Sequence, residues 1–87
     1  MQLQPDEMTA VINRAKRAHG HFGKVIAMME EGADCEDVLT QLAAVNKAIS
    51  RTGYAVVATG LRQCLVAGDD PESVDVKKME KLFLGLA

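Results

Sequence analysis

The stretch "CEDVLTQLAAVNKAISRTGYAVVATGLRQCLVA" (Cys35–Ala67) contains no proline and only two glycines. Val38, Leu42, Val45, Ile49, Thr52 and Val56 recur in it at alternating spacings of four and three, with Leu39, Ala48, Ala55 and Leu61 beside them. That period predicts one continuous helix over about 35–67, roughly 45–50 Å long at 1.5 Å per residue. A rod of that length exceeds what an 87-residue chain can cover by itself, so it asks for a partner.

The flanking segments read the same way. Pro5 followed by Asp6 and Glu7 suits a first helical turn, and Gly32 suits a stop. Between them Met8, Val11, Ala15, Ala18, Phe22, Val25 and Met29 form a heptad-like seam, widened by Ile12 and Ile26, which predicts a helix over about 5–31. Gly20 and Gly23 lower its propensity and leave room for close approach of another helix. After "AGDDPES" the run "PESVDVKKMEKLFLGLA" predicts a short third helix over about 71–86, with Val76, Met79, Leu82 and Phe83 inward. Repeats, low-complexity tracts and strand pairs are absent. The expectation is one all-α domain spanning 1–87, a three-helix subunit.

Apolar residues make up 48% of the chain, yet it holds two Phe, one Tyr and no Trp, so the core material is aliphatic and suited to packed helices. A small aliphatic domain of this kind often completes its core by oligomerising. No run approaches the 18 apolar residues of a membrane span, and the N-terminus lacks a charged-then-apolar leader, so the expectation is a soluble cytoplasmic protein with no membrane partner. Net charge is −2, but the charge is segregated. Between Met8 and Met29 there is no acid, only Arg14, Lys16, Arg17 and Lys24 with His19 and His21; between Val38 and Gly68 there are only Lys47, Arg51 and Arg62. Such basic helix bodies with acidic ends fit either ordinary solvated faces or a polyanion-binding surface.

Two cysteines are too few for a secreted disulfide framework and are expected as free thiols. Cys35 and Cys64 lie 29 positions apart, which returns them to nearly one helix face but separates them by roughly 43 Å. Within one chain they cannot meet. Antiparallel pairing of two such helices about a two-fold axis between Ile49 and Ser50 would bring Cys35 of one chain beside Cys64 of the other, twice per dimer. Two small buried hydrophobes remain the simpler alternative. The chain has no CxxC, no glycine-rich phosphate loop and no HExxH; His19 and His21 lie on different faces without a nearby carboxylate, so no enzyme reading is supported.

The segment "INRAKRAHGHFGKVIAMMEEGADCEDVLTQLAAVNKAI", and "CEDVLTQLAAV" in particular, is similar to the core of the CsoR/RcnR/FrmR repressors, and the similarity runs from about Met8 to Val66 without gaps. It implies a three-helix subunit pairing through antiparallel helices into a four-helix-bundle dimer, two of which form a disc-like tetramer. It also implies a DNA-binding repressor without a helix-turn-helix, released from operator double-stranded DNA when its cysteine site is modified or loaded. By position the family's DNA-facing residues fall on Arg14 and Arg51. Charge segregation adds Lys16, Arg17, Lys24 and Lys47, cations suited to phosphate neutralisation and counterion release.

The resemblance also bears on the effector. Copper sensors of the family place a cysteine, a histidine 25 positions on and a second cysteine four beyond; here those positions read Cys35, Gly60 and Cys64. The tyrosine that precedes the first cysteine in copper sensors is Asp34, and their third-helix glutamate corresponds to Glu80 at best. Two cysteines without the histidine resemble the CstR branch, which senses persulfides and polysulfides. The expectation is therefore reactive sulfur as effector at Cys35 and Cys64 of the partner chain, with Cys35 attacking first, Cys64 resolving, and no cofactor. Cu(I) held by the same two thiolates is the alternative, and a helical thiol carrier or scaffold that does not bind DNA is the second.

Overall fold

The computed structural model describes residues 3–66 and 76–85, apart from the side chains of 63–66, 76 and 83. A 3-10 turn at Pro5–Glu7 leads into α1 (Thr9–Glu30), followed by α2 (Cys35–Val66) and α3 (Val76–Leu84). The subunit is all-α with three helices, as the periodicity predicts. α1 and α2 pack as an antiparallel hairpin and α3 packs against α2.

The first helix does not start at residue 5. Met8 breaks the path, with φ −99° and ψ 3°, and the Thr9 hydroxyl donates to the Asp6 carbonyl at 3.3 Å. That carbonyl belongs to the first turn, so a local side-chain bond replaces continuation of the α-helix there. The 3-10 turn then lets Met8 fold in, where it is buried. The expected start of the third helix at 71 lies outside the described residues.

The hairpin turn is specified closely. Gly32 has φ +75°, its N–H donates to the Met29 carbonyl at 3.2 Å, and the Ala33 N–H donates to the Met28 carbonyl at 2.9 Å. These are the 5→2 and 6→1 bonds of a Schellman motif, with glycine at the left-handed position. Two residues later Asp34 starts α2: its carboxylate accepts from the Glu36 N–H at 3.2 Å and its carbonyl from the Val38 N–H at 3.0 Å. Asp34 is thus the N-cap and Cys35 the first helical residue.

Among the described residues the buried apolar side chains are few. Val25 and Val45 are 0% and 1% exposed, and Met8, Val11 and Ala18 join them. The Cα extents are 52 × 26 × 13 Å, so the molecule is one helix layer thick. One layer covers only the stripe that faces the neighbouring helix, which is narrower than the apolar stripe in the sequence. Consequently Phe22 (40%), Leu42 (37%), Ile49 (47%) and Met29 (53%), expected as seam residues, lie on an open flank with Ile26 and Leu39. Leu82, expected inward on α3, is also exposed; the side chains of Val76 and Phe83 lie outside the described residues.

The glycines correct a further expectation. A Cβ built at Gly20 or Gly23 meets nothing within 4 Å, so neither supports close helix approach within the protomer. Gly32 also faces open space, and its requirement is the positive φ alone. Gly32→Ala is therefore expected to lower stability by about 1 kcal/mol, whereas Gly20→Ala raises it by about 0.5–1 kcal/mol. Urea denaturation at one fixed protomer concentration checks both signs.

Candidate nucleic-acid interface and thiol site

The hairpin has two unlike sides. On α1, Arg14, Arg17, His21 and Lys24 follow one another at spacings of three, four and three, which places them on one helix face. The antiparallel register sets Arg51 of α2 opposite the first pair. Arg14, Arg17, His21 and Arg51 line a trough of about 420 Å³ floored by Ala18 and Ala48. It continues towards the hairpin turn, where Arg17 and His21 are joined by Lys24 and Gln41 around a hollow of about 690 Å³. Arg17 and His21 belong to both parts, so this is one basic channel along the α1–α2 seam.

Four of the six cations expected at a DNA surface are thereby brought together. The other two are not. Lys16 is two residues from Arg14, about 200° round the helix, and Lys47 is exposed one turn before Arg51; neither lines the channel.

Two channel residues were absent from the sequence expectations. His21 Nε2 lies 2.7 Å from Gln41 Oε1, a bond that ties α1 to α2 across the seam. Gln41 has no sequence signal, because its placement depends on the hairpin register. His21 does have one, since it continues the Arg14–Arg17–Lys24 spacing.

On the other side, Ala15, His19 and Phe22 of α1 face Ile49, Thr52 and Val56 of α2 across an apolar groove of about 430 Å³. The Thr52 hydroxyl donates to the Ala48 carbonyl at 2.9 Å, so its hydrogen-bonding need is met within the helix. His19 and His21 thus face opposite sides of the hairpin.

Cys35 is a free, exposed thiol at the first residue of α2, immediately after the capping Asp34. Cys64 falls near the other end of the same helix, and its side chain lies outside the described residues. Gly60, four residues before it, is buried. Among the described residues no three His, Cys, Asp or Glu side chains converge on a point that could hold a metal ion. None of their helices is long and apolar enough to cross a membrane.

Residues 7–84 match the family described as metal-sensitive transcriptional repressor, a match that extends through α3. Over 62 residues the chain is 37% identical to the copper-sensing transcriptional repressor CsoR of Mycobacterium ulcerans, covering 71% of this chain and 53% of that protein. It is 33% identical over 55 residues to the copper-sensing transcriptional repressor CsoR of Mycobacterium tuberculosis, covering 63% of this chain and 46% of that one. The chain thus spans about half the length of these curated relatives. It is also 43% identical over 51 residues to the uncharacterized protein YrkD of Bacillus subtilis, covering 54% of this chain and 81% of that protein. No solved structure matches the chain. With the family pattern running from the 3-10 turn through α3, this chain belongs to the family of metal-sensitive transcriptional repressors, not to a family of enzymes.

Proposed function

We propose that the protein is a DNA-binding transcriptional repressor that senses reactive sulfur through Cys35 and Cys64 of two different subunits. Family membership and the basic channel support the DNA reading. Arg14, Arg17, Lys24 and Arg51 neutralise phosphates there, with Lys16 and Lys47 as flanking cations. The one-layer hairpin and its open apolar groove support a second copy, joined by antiparallel α2 helices into a four-helix-bundle dimer and then a tetramer.

The observation that carries the effector assignment is Gly60, which provides no imidazole where copper sensors of the family hold one. Two soft thiolates suit Cu(I), but Gly60 supplies no third donor beside them. Sulfur transfer needs no third group. The Cys35 thiolate attacks the terminal sulfur of a low-molecular-weight persulfide, forming a Cys35–S–SH persulfide and expelling the thiolate of the donor. The Cys64 thiolate of the other subunit then attacks the Cys35 sulfur, forming an intersubunit disulfide and releasing hydrosulfide. The donor's sulfane sulfur is the oxidant. The new bond ties the start of one α2 to the end of the other and biases the assembly away from its DNA-binding form.

A second reading is favoured by the copper-sensing names of the mycobacterial relatives: Cu(I) held by the same two thiolates is the signal.

Two measurements test these readings. Intact mass after inorganic polysulfide treatment is expected to show a covalent dimer joined Cys35–Cys64, accompanied by release from DNA in a gel shift. Unlinked, unmodified monomers would sink the sulfur reading, and release by Cu(I) but not by polysulfide would replace it with the copper one. Separately, Arg14→Ala and Arg51→Ala should each weaken duplex binding and reduce the slope of log K against log salt by about one. Binding equal to the parent in both variants would remove Arg14 and Arg51 from the contact, and an absent or salt-independent shift of the parent would point to a thiol carrier or scaffold without a DNA function.

A further inference from the structure

The channel combines four cations with one hydrogen-bonded pair, His21 and Gln41, and its shape selects what can enter it. It is concave. The base edges of a duplex are recessed within its grooves, whereas the sugar-phosphate backbone is a ridge. A concave basic channel therefore suits the backbone. From Arg14 to Lys24 the channel runs for about 15 Å, long enough to follow more than one phosphate of a strand.

The hydrogen bond across the seam restricts how His21 can contribute. Gln41 turns Oε1 to the ring at 2.7 Å from Nε2, and an amide oxygen only accepts, so this bond requires the tautomer that carries its hydrogen on Nε2. A neutral imidazole has one N–H. With that hydrogen committed to Gln41, Nδ1 holds a lone pair, and a phosphate oxygen, itself an acceptor, is repelled by it. Only the imidazolium offers a second N–H, at Nδ1. The charged groups around the ring are Arg14, Arg17 and Lys24 on α1 and Arg51 on α2; no carboxylate lines the channel among the described residues.

We infer that His21 is a phosphate ligand of this channel in its imidazolium form, so that DNA binding takes up a proton at each occupied channel. The inference rests on the DNA-binding reading. Histidine changes charge between about pH 5 and 8, which puts the effect within an accessible window. The sign follows from linkage: when the complex holds more protons than the free partners, affinity rises as pH falls, by at most about tenfold per pH unit for each linked proton. Gln41 acts as a positioning residue, because its carbonyl removes the neutral ring's single donor.

Because the contact is to phosphate, a fluorescent random-sequence duplex serves as the probe, titrated with the full chain by anisotropy from pH 6 to 8 at a constant salt of about 50 mM. The parent is expected to bind at least about threefold more tightly at pH 6 than at pH 8. His21→Gln should flatten that dependence, and His19→Gln, on the apolar side, should retain it. Gln41→Ala frees the neutral ring to turn its N–H to phosphate, so the dependence weakens while affinity at pH 8 is kept. A merely structural role for the pair would lower affinity in both variants without changing the slope. An unchanged slope in His21→Gln would overturn the inference alone; if that variant fails to fold by far-UV circular dichroism, an unchanged slope in Gln41→Ala would do so. Absence of duplex binding by the parent at every pH would overturn the DNA reading and this inference together.

Discussion

A pair of α-helices can cover only the strip of surface that lies between them, and this limit governs the molecule. Val25 and Val45 fill that strip and are the most deeply buried large side chains. Val11 and Ala18 join them, while among the described residues Phe22, Ile26, Met29, Leu39, Leu42 and Ile49 are exposed on an open flank. The Schellman turn at Gly32 and the Asp34 cap hold the two helices in one register, and the register decides which residues face each other. A shift of one residue rotates a helix by about 100°. It would separate Arg51 from Arg14 and Arg17 and remove Gln41 from His21.

The helices were legible in the sequence because their signals are local. Alternating spacings of three and four, Pro5 near the start and Gly32 at the stop act within a few residues. The sidedness was less legible. A seam that includes Phe22, Ile49 and Met29 looks continuous on a helical wheel, but one neighbour cannot cover its full width. Sequence pattern shows how much apolar surface seeks cover, and only the packing shows how much receives it within a protomer. Met8 is buried as its seam position predicts, but the start of α1 at Thr9 is not where the pattern puts it: a threonine hydroxyl and a proline set up a 3-10 turn that the period alone merges into the helix.

At the candidate site, Arg14, Arg17, Lys24 and Arg51 were found from charge segregation and resemblance, and they share one channel. Gln41 depends on a contact twenty positions away in the chain, which no single-helix pattern encodes. Cys35 was legible as a helix-start thiol, and the structure adds the carboxylate cap directly before it. The proposed pairing with Cys64 concerns two chains, so it draws on symmetry and helix length and not on contacts within one protomer.

Ala18 lines both the basic channel and the apolar groove, and it is 5% exposed. The partition between the two sides of the hairpin is at that point a single methyl group. Close-packed interiors transmit displacement because they have little free volume to absorb it. A roll of α1 about this contact opens one side as it closes the other, as a see-saw does about its pivot. The two surfaces share a wall, so their widths are not independent quantities.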